Sequence, residues 1–180
     1  MKILLTYSSL TGNTKKVADG IYEVLDKFAT TYVPIKDINN PSEFVLNFDF
    51  IIVGFWVDKG IPNQEALNFL KVIKGKLLGI FMTLGASPKS YHATECMRKT
   101  VEMIEKNQNK VVTTFICQGK VSEELINFFK TLPPNHPHAL TEEKIKKYEE
   151  AAKHPNEDDI KNAQNVFLKA VSNLCISKTE

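Results

Sequence analysis

The chain has 180 residues, 43% hydrophobic and 24% charged, with a formal net charge of +2 at pH 7. That length fits one domain able to bury about 70% of the surface its unfolded chain exposes, and the balance is that of an ordinary globular protein. The small, dispersed positive charge argues against a nucleic-acid surface, the lack of any apolar run near ~20 residues against a membrane span, and three scattered cysteines against a disulfide framework or zinc pattern.

The first apolar run, Ile3–Tyr7, turns polar too soon for a secretory leader, so a cytoplasmic protein with reduced thiols is expected. It reads as a β-strand. "SSLTGNT" at 8–14 follows, and then Val17, Ile21, Val24, Leu25 and Phe28 fall on one helical stripe. Thr31–Ile35 reads as a second strand. Asn40 and Pro41 followed by Glu43 read as an N-cap, a first-turn proline and a capping-box acid. A third strand is expected over Phe48–Phe55, a short helix along Ala66, Phe69, Leu70 and Ile73, and a fourth strand over Leu77–Leu84. Ala93, Met97, Val101 and Ile104 make the next helical stripe, before a fifth strand over Val111–Cys117. The last three strand runs are nearly continuous in apolar residues, as in parallel strands covered on both faces. Strand–helix alternation over the first 118 residues predicts right-handed crossovers and one parallel sheet.

The stretch 119–155 breaks that rhythm. Ser122–Thr131 and Thr141–Lys153 both read as helical, and "LPPNHPHAL" between them has too many prolines for a continuous helix. This segment is a helical elaboration on the sheet. The final helix carries Ile160, Ala163, Phe167, Ala170, Val171 and Leu174 on one stripe, and Asn156 with Asp159 forms its start signal. With no domain-splitting linker, residues 1–180 form one domain. His136 and His138 have no Cys, Asp or Glu near them in sequence and read as a loop, not a metal site. Cys117 reads as a small buried hydrophobe near a strand end, with redox sensitivity left open.

In an open parallel sheet, ligands bind beyond the carboxyl ends of the strands. The turn after the first strand delivers Ser8, Ser9, Thr11, Gly12, Asn13 and Thr14 to a helix N-terminus. Backbone N–H groups and the helix dipole favour an anion there. The turn itself holds no lysine before Lys15, so its composition suits a phosphate held by hydrogen bonds. Neither G-x-x-x-x-G-K-[ST] nor G-x-G-x-x-G is present.

"SLTGNT" at 9–14 resembles the [ST]-x-T-G-N-T phosphate loop of flavodoxins, in its expected place after the first strand. "GFWVDKG" at 54–60, "TLGASP" at 83–88, "CQGK" at 117–120, "HPHAL" at 136–140 and "AAKHPNEDD" at 151–159 resemble a bacterial branch of flavodoxin-domain proteins. The resemblance covers essentially the whole chain. It implies a single flavodoxin-like doubly wound α/β domain with a five-stranded parallel sheet, order 2-1-3-4-5, and FMN as cofactor. By resemblance, Ser8, Ser9, Leu10, Thr11, Gly12, Asn13 and Thr14 hold the FMN phosphate. Phe55, Trp56 and Val57 line one side of the ring, with Trp56 stacking, and the Asp58-Lys59-Gly60 turn contacts the flavin through its backbone. Leu84, Gly85 and Ala86 offer donors on the other side. Tyr91 is either a second aromatic wall or a surface residue of the following helix. The implied function is that of a monomeric electron carrier between redox partner proteins, a reductase and an electron acceptor, with no catalytic residue, metal, nucleic acid or membrane. The alternative is an NAD(P)H-dependent quinone or flavin reductase on the same scaffold. Two features depart from the family pattern: the charge is +2 where flavodoxins are strongly acidic, and the elaboration follows the fifth strand where long-chain flavodoxins insert within it.

Overall fold

The computed structural model describes residues 1–176 apart from Pro134, Pro137 and His138. The His138 half of the histidine pair therefore lies outside the described residues. The strands are β1 (Lys2–Tyr7), β2 (Ala29–Pro34), β3 (Phe50–Asp58), β4 (Ile61–Pro62), β5 (Leu77–Leu84) and β6 (Lys110–Gln118). The helices are α1 (Asn13–Leu25), α2 (Pro41–Phe44), α3 (Gln64–Val72), α4 (Tyr91–Glu105), α5 (Glu123–Lys130), α6 (Glu142–Ala151) and α7 (Glu157–Ile176). The sheet runs β2-β1-β3-β5-β6, all parallel, with β4 an antiparallel appendage on the end of β3. Setting β4 aside, this is the order 2-1-3-4-5. No described helix is long and apolar enough to cross a membrane.

Successive side chains of β3 feed two cores. Ile51, Val53 and Phe55 join the cluster under α3 and α4 with Phe69, Ala93 and Met97. Phe50 and Ile52 join the cluster under α1 and α7 with Val17, Ala163 and Phe167. Each fully buried apolar side chain contributes about 1.5–3 kcal/mol. Gly54 sits opposite Phe81 on β5 and has no room for a Cβ, which would fall 1.9 Å from Phe81 Cζ. The Phe81 ring occupies that space and meets Phe167 of α7 edge-on, with centroids 6.0 Å apart.

The structure extends β3 three residues beyond the expected end at Phe55. β4 pairs with Val57 and Asp58, closing a two-residue turn at Lys59 and Gly60. Both turn residues are left-handed, φ 51° and 81°, the backbone of a type I′ hairpin. Helix starts follow their chemistry unevenly. Asn156 Oδ1 accepts from Asp159 N–H at 3.0 Å while Asp159 Oδ2 accepts from Asn156 N–H at 2.8 Å, a reciprocal capping box. Asn40 differs. Its left-handed backbone leaves the carboxamide donating to the Glu43 carboxylate at 2.6 Å instead of capping, and α2 lasts one turn.

The elaboration is thinly packed. α5 buries none of its residues and α6 buries only Ala151. Their rings at Phe129 and Tyr148 lie nearly parallel, 6.4 Å apart. Its ends are better fastened: Lys120 N–H donates to His154 O at 3.1 Å, and Lys16 Nζ of α1 donates to Pro155 O at 2.6 Å.

Cys96 and Cys117 are buried and Cys175 is partly exposed. Burial pushes both buried thiols upward, Cys117 to about 12 with the Asp159 charge adding to the shift. A thiol held protonated and shielded is a poor nucleophile. In the native protein at pH 8, Cys175 should therefore react with a disulfide reagent while Cys96 and Cys117 react only after denaturation. Counting thiols released in buffer and in guanidinium checks this; three equal fast thiols would contradict it.

Candidate functional site

β1 ends at Tyr7, and Ser8 N–H donates to Gly54 O at 2.9 Å, holding the start of the loop against the carboxyl end of β3. Gly12 then takes φ 89°, which other residues adopt only with strain, and leads into α1 without a capping side chain. The first helical bond runs from Lys16 N–H to Gly12 O, so the N–H groups of Asn13, Thr14 and Lys15 precede it at the positive end of the helix. Beside them the Ser9 hydroxyl is buried and has no partner within the described chain. Buried polar groups are seldom left this way, and an anion bound at the loop would offer it an acceptor.

Asn13 and Thr14 reach the loop with other partners already in place. Asn13 Nδ2 donates to Thr11 Oγ1 at 3.1 Å and to Lys120 O at 2.9 Å, which engages both amide hydrogens. Thr11, an acceptor in that pair, keeps its own hydrogen for a further acceptor. Gly119 makes the approach to Asn13 feasible, since a Cβ there would lie 2.7 Å from Asn13 Nδ2. Thr14 is buried, and its hydroxyl pairs with Thr83 Oγ1 of β5 at 2.9 Å. Lys15 turns its ammonium to Asp19, at 2.7 and 2.9 Å to the two oxygens, and that bond raises its pKa.

One cleft gathers Leu10, Thr11 and Asn13 from the loop and the start of α1, Trp56 and Val57 from β3, Leu84 from the end of β5 and Gly85 just after it. Trp56 is half-buried at its wall, not sealed in the core, and is the direct cross-strand neighbour of Thr83. Ser8, Ser9 and Gly12 line a second cavity whose charged residues balance, Lys15 and Lys36 against Asp37 and Glu65. Thr14 lines neither. Phe55 is fully buried in the α3/α4 core, on the face of β3 opposite Trp56. Asp58, Lys59 and Gly60 form the hairpin turn, near His92 of α4 and outside the cleft lining. Ala86 packs against the α3/α4 core. Tyr91, 81% exposed at the first position of α4, takes the surface place of its two readings.

The cleft also includes residues that sequence reasoning passed over: Thr83, Gly119, Lys120, Val121, Ser122 and Leu125. Two signals were available. Thr83 interrupts an otherwise apolar strand, and Gly119 stands directly after the last strand, where a close backbone approach calls for glycine. Among the described residues, no group of three or more His, Cys, Asp or Glu side chains could hold a metal ion.

The family model for the flavodoxin domain matches residues 4–168. The flavodoxin-like domain-containing protein BilS of Clostridioides difficile is 36% identical, covering 94% of this chain and 98% of its own. The protein of the same description from Clostridium symbiosum is 25% identical over 95% of this chain and 96% of its own. Among solved structures, oxidised flavodoxin 1 of Bacillus cereus superimposes with a TM-score of 0.61 at 16% identity, covering 96% of this chain and 98% of that one. Flavodoxin 2 of the same organism gives 0.59 at 20% identity, covering 96% and 99%. These two likenesses show a shared fold. The family model's span, together with the 36% identity along nearly all of both chains, establishes that this chain belongs to the flavodoxin-domain family.

Proposed function

We propose that this protein is an FMN-dependent electron carrier, a cytoplasmic monomer that passes electrons between a reductase and an acceptor protein. FMN is the cofactor that its family membership brings. The observation that carries the reading is adjacency: one loop, residues 8–13, lines both the cavity that holds Ser8, Ser9 and Gly12 beside the helix N-terminus and the cleft walled by the half-buried Trp56. A phosphate suits the first and an aromatic ring system the second.

When bound, FMN supplies reversible one- and two-electron chemistry, and the chain supplies binding, orientation and shielding. The N–H groups of Asn13, Thr14 and Lys15 and the hydroxyls of Ser9 and Thr11 hold the phosphate. Asn13 keeps the loop closed on Lys120 and contributes no side-chain donor of its own. Trp56 provides a flat face, and Leu10, Val57, Leu84 and Val121 keep the surroundings apolar. Gly85 brings backbone close to the same cleft. A second reading, direct NAD(P)H-dependent reduction of a quinone or flavin, draws on Val121, Ser122 and Leu125, which extend the cleft beyond the loop.

Four measurements test these readings. A hydrogen bond to a charged group contributes about 1.5–3 kcal/mol, so Thr11→Ala should weaken FMN binding roughly ten- to a hundredfold. Riboflavin, which lacks the phosphate, should bind far more weakly than FMN; equal affinities would remove the loop from the phosphate role. Trp56 is the sole tryptophan, so its emission reports the ring directly. Emission should be nearly extinguished at one equivalent of FMN and return when FMN is stripped, whereas emission that survives binding places the ring elsewhere. Mixing the yellow protein with NADPH or NADH under nitrogen separates the carrier from the reductase. The carrier keeps its colour until a reductase is added; bleaching by the nucleotide alone selects the second reading.

A further inference from the structure

Asn63 stands at the N-cap position of α3 and does not cap it. An asparagine there ordinarily turns its side chain onto the N–H groups of the first turn. Here Nδ2 reaches back instead to Ser8 Oγ, 2.8 Å away on the opposite side of β3's end. The backbone N–H of Asn63 donates to Trp56 O at 3.0 Å. One residue thus joins the strand that carries the aromatic wall to the first residue of the phosphate loop. The link is shielded, since Asn63 is 5% and Ser8 4% exposed.

The direction of the side-chain bond matters. Because Asn63 donates, Ser8 Oγ is the acceptor, and the hydroxyl hydrogen is left to find an acceptor of its own. A hydroxyl that already accepts a bond is also polarised into a better donor. Ser8 lines the cavity shared by Ser9, Gly12 and Lys15. Asn63 Oδ1, meanwhile, is buried with no partner. Turning the carboxamide over would pair that oxygen with Ser8 but would leave buried N–H donors orphaned and take the Ser8 hydrogen away from the loop. An orphaned acceptor is the commoner of the two in folded proteins.

We infer that Asn63 is a positioning residue for phosphate recognition, holding the Ser8 hydroxyl as a donor toward the anion while tethering the Trp56 segment to the same loop. The inference rests on the reading of residues 8–14 as the FMN phosphate site. Asn63 does not touch the anion; it acts through Ser8.

The readout is the ratio of riboflavin to FMN dissociation constants, obtained by titrating each flavin into apoprotein and following flavin fluorescence. A residue that only stabilises the fold changes both affinities alike and leaves the ratio unmoved. Asn63→Asp keeps the shape but presents acceptors, drawing the Ser8 hydrogen away from the loop. It should lower the ratio at least tenfold, and Asn63→Ala should lower it by a smaller factor. In a Ser8→Ala background, Asn63→Ala should produce no further fall, because the group it positions is gone. An unchanged ratio in both Asn63 variants overturns the inference, as does a full additional fall in the Ser8→Ala background. Should neither Asn63 variant fold, Ser8→Ala alone decides: a ratio equal to wild type overturns it and a lowered ratio supports it. A wild-type protein that binds both flavins equally would overturn the phosphate-site reading first, and this inference with it.

Discussion

A parallel sheet covered on both faces leaves its side chains one exit. Along β3, every residue from Phe50 to Phe55 is fully enclosed, and partial exposure begins at Trp56. Among the described residues, the two faces bury no charge, and the polar group they do enclose without a partner is the single hydroxyl of Thr6. Polar chemistry is thereby displaced to the carboxyl ends, where Ser8, Thr83 and Gln118 appear. Because strand register aligns Trp56, Thr83 and Cys117 in one row, the aromatic and the polar groups arrive at the same height above the core.

At that height the chain is stitched together across long separations. Thr14 of α1 meets Thr83 of β5, Asn13 meets Lys120 after β6, and Asn63 meets Ser8. None of these contacts is part of the sheet ladder, yet each ties together residues far apart in the chain. A neutral hydrogen bond of this kind contributes about 0.5–1.5 kcal/mol net, but a buried one left half-made costs more than it contributed when complete.

Much of this was legible in the sequence. The apolar runs located the five main strands because burial on two faces leaves no room for alternation, and "SLTGNT" marked the loop because a helix start with a glycine and several hydroxyls has few other uses. Boundaries were less legible. β3 outlasts its apolar run because β4 folds back on it, a pairing that depends on the Lys59-Gly60 turn. The roles of Asn13 and Thr14 also escaped, since their partners, Lys120 and Thr83, are distant in the chain and carry no local signal. The stem at 119–122 escaped for the same reason. Tyr91 shows the opposite limit: an aromatic in the right loop can still face water.

The thin packing of α5 and α6 has a consequence for how this surface can change. Opening a segment locally costs roughly what its buried contacts contribute, and these helices bury almost nothing. On that ground their amides are expected at the fast-exchanging end of the molecule and those of β3 and β5 at the slow end. Substitutions along the outward faces of α5 and α6, Phe128 and Ile145 included, leave the sheet and its two cores untouched. Where α5 meets the cleft, at Leu125 and its N-cap Ser122, mutation can reshape a rim at little cost to the sheet.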